Sequence, residues 1–461
     1  MGSARVTNRN PPPPGAGTSP PNRHHRTIVN PPPLEILLLL LTFFVLLALG
    51  VPVAWSIGIS TLTTILLSMP ALPAVTTVAQ RMATALDSFT LLAIPFFIVA
   101  GEIMNRGGIA RRLIQFAKSL VGALPGGLAH VNVLAAMLFG AIAGSAVAAA
   151  SAIGTIMGKQ MEEAGYPRAF GAAVNITSST TGLVIPPSNI LIVYSLASGG
   201  VSIGALFLAG YLPGLLCGGL IMLVSTVYAL RRGFPRGRRS SGREIWESFV
   251  AAFPSLLLLV VVIGGIVAGW FTATEASAVA VVYCLALAAA YKEFVWSDLR
   301  SVLLRAASTT AIVMLLIATG VAMSWVMAYE NIPQNLTTAL LSLSDNPVVI
   351  LLLINFTLLV VGIFMDITPA VLIFTPIFLP IVTQLGMDPT HFGIVMVLNL
   401  CIGICTPPVG SVLFVGVGVA GTNIQRVIRP LLPLFVAMLV ALLLVTFVPA
   451  LSLWLPGLFG L

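Results

Sequence analysis

The chain has 461 residues, 58% hydrophobic and only 8% charged, with a formal net charge of +8 and a mean hydropathy of +1.06. Soluble domains carry about 25% charged residues, so this composition excludes a soluble enzyme, a disordered chain and a disulfide scaffold. The positive charge falls in short pieces between apolar runs and not along one face, which fits membrane topology signals and not a nucleic-acid surface.

Residues 1–33 read as a disordered Pro-rich tail, with Pro11 to Pro14, Pro20, Pro21 and Pro31 to Pro33 among Arg5, Arg9, Arg23 and Arg26. A cleaved secretory signal is the alternative, since Arg precedes the apolar run 34–49, although its n-region would be long and a second apolar run follows directly. Apolar runs follow at 34–49, 51–69, 89–105, 126–163, 168–198, 203–230, 253–270, 275–291, 306–328, 348–383, 392–421 and 430–455. Such runs read as helices in a bilayer, where each backbone polar group needs an internal partner. Two of them are too long for one span and too short for two. The run 126–163 breaks at Gly144-Ser145, and 348–383 breaks at Asp366-Ile367-Thr368-Pro369. Breakers at mid-run predict the tips of re-entrant hairpins.

An internal repeat organises these runs. Gly182-Leu183-Val184-Ile185-Pro186-Pro187 recurs as Gly403-Ile404-Cys405-Thr406-Pro407-Pro408, an offset of 403 − 182 = 221. The same offset carries Gly165 to Gly386 and the first hairpin break to Met365-Asp366, while Gly50 and Gly101 match Gly269 and Gly320 at 219. The expected fold is therefore an all-α polytopic membrane protein of two inverted-topology repeats, 34–230 and 253–455. It should have ten full spans and two re-entrant hairpins, 126–163 and 348–383, each followed by a broken span, 168–198 and 392–421.

Lys and Arg set the orientation. Arg231, Arg232, Arg236, Arg238, Arg239 and Arg243 make 231–252 a basic cytoplasmic linker, and Arg106 to Lys118 and Lys292 to Arg305 share its side. The segment 331–346 has no Lys or Arg and should lie opposite. Counting back places the N-terminus outside despite its four Arg, unless 34–69 is one long tilted span. The amphipathic segments 107–122 and 331–346 should lie at the interface, as arms beside the hairpins or as plain surface helices.

No catalytic constellation is visible: His24, His25, His130 and His391 lack a paired nucleophile or ligand spacing, so no enzyme is expected. Cys217, Cys284, Cys401 and Cys405 sit in apolar segments and read as packing residues, without a disulfide or metal site. Candidate binding residues gather at the breaks. The first group is Ser145, Ser178, Thr181, Gly182, Pro186, Pro187, Ser188 and Asn189; the second is Asp366, Thr368, Asn399, Gly403, Thr406, Pro407, Pro408, Gly410 and Ser411. Neutral oxygens and carbonyls freed by helix breaks suit a hard cation such as sodium, so one sodium is expected near Ser145 and Gly182 and another near Asp366 and Gly403. Back-bonding of the hydroxyls to their own helix is the alternative. Asp366 is an ion-path candidate by its cost in a membrane, or a cap for the helix that follows. Glu102 and Glu275 read as interfacial or loop residues.

Several motifs in order resemble the large membrane subunit of tripartite ATP-independent periplasmic (TRAP) transporters, over about 34–455. They are Leu91-Leu92-Ala93-Ile94-Pro95-Phe96-Phe97, Ala100-Gly101-Glu102, Asn105-Arg106-Gly107-Gly108, Gly182 to Pro187, Phe271 to Ala276, Phe364-Met365-Asp366 and Thr406-Pro407-Pro408-Val409-Gly410. The resemblance implies a sodium-driven, elevator-type importer of organic anions such as C4-dicarboxylates, sialic acids or keto acids in a bacterial inner membrane. It also implies two partners, a small four-helix membrane subunit and a periplasmic substrate-binding protein, with sodium as coupling ion and no other cofactor. Substrate would sit between the hairpin tips and broken spans, in a mobile unit comprising 126–198 and 348–421. The alternatives are a stand-alone sodium/anion symporter of a related two-hairpin fold, and a structural or channel-forming subunit.

Overall fold

The structure, a computed structural model, describes residues 34–106, 108–234, 237–292, 296–344 and 346–461; the tail expected at 1–33 lies outside them. Every regular element among the described residues is helical. The chain opens with α1 (Leu34–Ala48) and α2 (Val53–Ser68), which fold back and pack on each other across Gly50, at φ 80, and Pro52. The alternative of one tilted span over 34–69 is thereby removed. Next come α3 (Ala71–Leu86) and α4 (Ala93–Arg106), joined by one 3-10 turn and bent by 61°. No element was expected over α3, because Thr76, Thr77, Gln80, Arg81 and Thr84 dilute its hydropathy.

Helix α5 (Ile109–Val121) is amphipathic as expected, burying Ile109, Leu113, Ile114 and Ala117. The first long run becomes α6 (Gly127–Ala143) and α7 (Ala146–Glu163), and the run after it becomes α8 (Arg168–Val184) and α9 (Asn189–Ala197), bent by 52°. Helix α10 (Ile203–Arg232) leads to α11 (Gly242–Val267), α12 (Ala273–Tyr291), α13 (Leu299–Tyr329) and α14 (Ile332–Leu343). The linker expected over 231–252 is shorter than that. Ser241 and Glu244 form a reciprocal capping box that starts α11 inside the arginine-rich stretch. The second hairpin is α15 (Pro347–Phe364) and α16 (Ile367–Gln384), followed by α17 (Pro389–Gly403) and α18 (Ser411–Val419). The final run divides into α19 (Ile424–Phe447) and α20 (Ala450–Leu458) at Pro449.

Among the described residues, seven helices are long and apolar enough to cross a membrane, and up to nine spans result if each bent pair counts as one. This is a polytopic membrane protein, although the count differs from ten spans. The helices α15 and α16 that pass are hairpin limbs, and α1, α2, α6 and α17 fall short of the roughly 20 residues that a crossing needs.

Packing divides the chain into two groups. Helices α8 and α17 are buried almost end to end; α6, α7, α10 and α19 pack on α8, while α15, α16 and α10 pack on α17. Outside them, α13 packs on α2, α3 and α4, α12 on α4, and α11 on α5. The groups meet where α4 and α5 touch α6 and where α13 touches α16. The three basic segments lie together at one end. Lys118 and Arg238 line one cavity, Arg111 and Arg305 line another, and Ser119 Oγ is 2.7 Å from Ser248 Oγ.

Candidate functional site: a chamber between four helix breaks

Each break has a local cause. Gly144 ends α6 at φ 62, where a side chain would be strained, and a Cβ there would lie 3.1 Å from Asn189 Nδ2. Ser145 then caps α7, its Oγ accepting from Ala148 N at 3.2 Å. In the second hairpin Asp366 holds the N-cap position of α16, with Oδ1 accepting from Ile367 N at 2.9 Å. In the broken spans, Pro186 and Pro187 stand four residues after Gly182 and Leu183, and Pro407 and Pro408 four after Gly403 and Ile404. Proline has no N–H, so these carbonyls are denied their helical partner. Gly403 O instead accepts from Thr406 N at 2.9 Å, and Ile404 O from Val412 N at 3.2 Å. Both Pro–Pro bonds are cis.

The breaks enclose a chamber of about 270 Å³. Of the expected binding residues, Ser145, Asn189, Asp366, Thr368 and Ser411 line it. So do Leu183 and Ile404, the equivalents at offset 404 − 183 = 221. Four helices, α7, α9, α16 and α18, begin at residues of its wall: Ala146, Asn189, Ile367 and Ser411. Helix N-termini carry about half a positive charge and unpartnered N–H groups, so the wall is built to receive an anion.

The other expected residues stand behind this wall. Thr181 Oγ1 donates to Ser178 O at 2.6 Å, and Thr406 Oγ1 to Ile402 O at 2.7 Å. Ser178 Oγ donates to Asn132 Oδ1 at 3.1 Å, tying α8 to the first limb of its hairpin. Asn399 does the same in the other half, its Nδ2 donating to Asn355 Oδ1 and O, both at 2.8 Å. The hairpins also meet their broken spans through glycines. A Cβ on Gly182 would stand 2.5 Å from Gly140 Cα, and one on Gly403 would stand 2.5 Å from Gly362 Cα. Gly410 lies against Ile404 O, and Pro186 against α10 near Gly210. Pro187, Pro407 and Pro408 act through the backbone, while Ser188 Oγ and Asn399 Oδ1 are buried without a partner among the described residues.

Sequence reasoning missed Asn132 and Asn355, whose signal is an amide inside an apolar run, costly unless paired. It also missed the far wall of the chamber, formed by Gly101, Glu102, Asn105 and Thr309 of the outer group. Among the described residues no cluster of three His, Cys, Asp or Glu is placed for a metal ion, and the chamber wall carries two carboxylates, Asp366 and Glu102, among neutral oxygens.

Broken membrane helices converging on a polar chamber are the construction of a secondary transporter. Residues 40–451 match the model of the family described as the tripartite ATP-independent periplasmic transporter, DctM component, and the chain belongs to that family. It is 54% identical to the uncharacterized protein YgiK of Salmonella typhimurium over 90% of this chain and 96% of that one. It is 43% identical to the C4-dicarboxylate TRAP transporter large permease protein DctM of Pseudomonas aeruginosa, over 88% and 95% of the two chains. Its fold is similar to that of the YdaH transporter of Alcanivorax borkumensis, with a TM-score of 0.62 at 16% identity, covering 90% of this chain and 98% of the other.

Proposed function

We propose that the chain is the large transmembrane subunit of a sodium-coupled, binding-protein-dependent importer of organic carboxylates, working as an elevator in a bacterial inner membrane. The observation that carries this is the convergence of four helix N-termini on one chamber that also holds Asp366. The N-termini favour a carboxylate and Asp366 disfavours one, so the site accepts an anion best after a cation has neutralised Asp366. That order is coupling: sodium bound beside Asp366 and Gly403, and beside Ser145 and Gly182, raises the affinity for the cargo, and by linkage the cargo raises the affinity for sodium.

The paired Gly140–Gly182 and Gly362–Gly403 approaches, and the paired Asn132–Ser178 and Asn355–Asn399 bonds, support two inverted repeats whose hairpins and broken spans move as one unit. The basic segments gathered at one end would face the cytoplasm. Family membership supports a small membrane subunit and a periplasmic binding protein as partners. The test is uptake of a C4-dicarboxylate into liposomes holding this chain and the small subunit, with the binding protein outside. Uptake should need both an inward sodium gradient and the binding protein. Sodium-driven uptake without the binding protein would favour the stand-alone symporter, and flux indifferent to the gradient would refute coupled transport.

A further inference from the structure

Taking the carboxylate cargo from the reading above, we propose that Glu102 and Arg305 form an electrostatic gate at the passage between the chamber and an open vestibule. The vestibule, about 600 Å³, adjoins the chamber, and Glu102, Asn105 and Ala148 belong to the walls of both. Arg305 lines the vestibule and its Nε donates to Glu102 Oε2 at 3.2 Å. The pair therefore stands where the walls of the two spaces are shared.

The pair is built to exchange partners. Its side chains are 47% and 27% exposed, so neither is sealed away from a passing anion. The recorded bond uses Nε alone, and the terminal guanidinium nitrogens remain to meet a carboxylate in the planar fork geometry. Asn105 Oδ1, buried at the same junction without a partner among the described residues, is one more polar group there. An arginine with no acid beside it would hold the cargo, and an acid with no arginine would repel it. Together they give a passage that admits a carboxylate and lets it go. The bond joins α4 to α13, which belong to the same outer group, so hairpin movement does not have to break it. At the 219 offset Arg305 corresponds to Leu86 and Glu102 to Val321, so the repeat carries no second copy of the pair.

The test is charge-selective thiol labelling of the full chain carrying Val147→Cys. Val147 lines the chamber and is 41% exposed, while the four native cysteines are buried. An anionic and a cationic methanethiosulfonate reagent of similar size are compared, and the ratio of their rates reports the charge of the passage. Glu102→Gln should raise the anionic-to-cationic ratio several-fold and Arg305→Gln should lower it several-fold. Arg305→Lys, which keeps the charge without the fork, should stay within about twofold of the parent. A ratio within about twofold in both neutral variants would overturn the gate and leave the pair a tether between two helices. Should Glu102→Gln unfold, shown by labelling of more than one thiol, the contrast between Arg305→Gln and Arg305→Lys decides. Labelling needs no substrate, partner or sodium gradient, so absent carboxylate uptake by the parent protein would count against the transport reading alone.

Discussion

Replacing Gly182 with Ala tests whether the glycine contacts set the geometry of the proposed sodium site. The added Cβ would stand 2.5 Å from Gly140 Cα, 2.8 Å from Gly140 C and 3.0 Å from Ala141 N, all backbone atoms that cannot swing away. Ordinary carbon contacts are about 3.5 to 4.0 Å, so α6 and α8 must separate by roughly 1 Å at this level. Overpacking of that kind costs about 1 to 3 kcal/mol, offset by about 0.5 to 1 kcal/mol from replacing a helical glycine. The net loss of stability should be about 0 to 2.5 kcal/mol, which leaves the protein folded. The larger effect is on function: the Gly182 carbonyl and the tip at Gly144-Ser145 move apart, and hard-cation ligands must sit within a few tenths of an ångström. The assay is thermal unfolding of purified protein in sodium against potassium chloride. Gly182→Ala and Gly403→Ala should each lose most of the sodium-dependent rise in Tm. Gly219→Ala in α10, where nothing lies within 4 Å of the new Cβ, should keep it. A full sodium response in Gly182→Ala would refute the reasoning.

Further consequences concern the charge, the breaks and the buried amides. Asp366→Asn keeps the volume, so insertion should persist while sodium-driven uptake falls; unchanged sodium dependence in liposomes would leave Asp366 only its capping role. Substituting Ala for both Pro186 and Pro187, or for Pro407 and Pro408, restores N–H groups to the carbonyls four residues back and lets the span close. These variants should insert normally and lose transport, and normal uptake at matched expression would mean that the breaks serve packing alone. Asn399→Ala removes two hydrogen bonds to Asn355 within the buried α15–α17 contact, and should cost about 1 to 3 kcal/mol in a reversible unfolding titration.

The sequence disclosed what single residues dictate. Gly144, the two proline pairs and Asp366 break helices by their own chemistry, and each break stands where the residues placed it. The 221-residue spacing belongs to the sequence itself, carried by the glycines and prolines at those breaks. Helix α3 was not legible, because hydropathy averages its Arg81 with its apolar face, whereas the structure sets that guanidinium 4.9 Å from the Trp325 ring centre. The start of α11 was visible in principle as Ser241-x-x-Glu244, but the surrounding arginines read as a loop.

The candidate site divides along the same line. Thr177, Ser179, Thr180 and Thr181 each bond a carbonyl three or four residues back, so a dense run of hydroxyls does not by itself mark a cavity wall. What selects a wall residue is its place at the start of a helix: Ser145, Asn189, Asp366 and Ser411 all stand at or beside a first turn. Glu102 escaped for the opposite reason. Its partner Arg305 lies 203 residues away, and no local pattern carries a contact at that separation. An acidic group in an apolar run near a broken helix therefore needs its distant counter-charge before it can be assigned to an interface. Here that counter-charge turns an apparent span-end residue into the only acid shared by the chamber and its vestibule among the described residues.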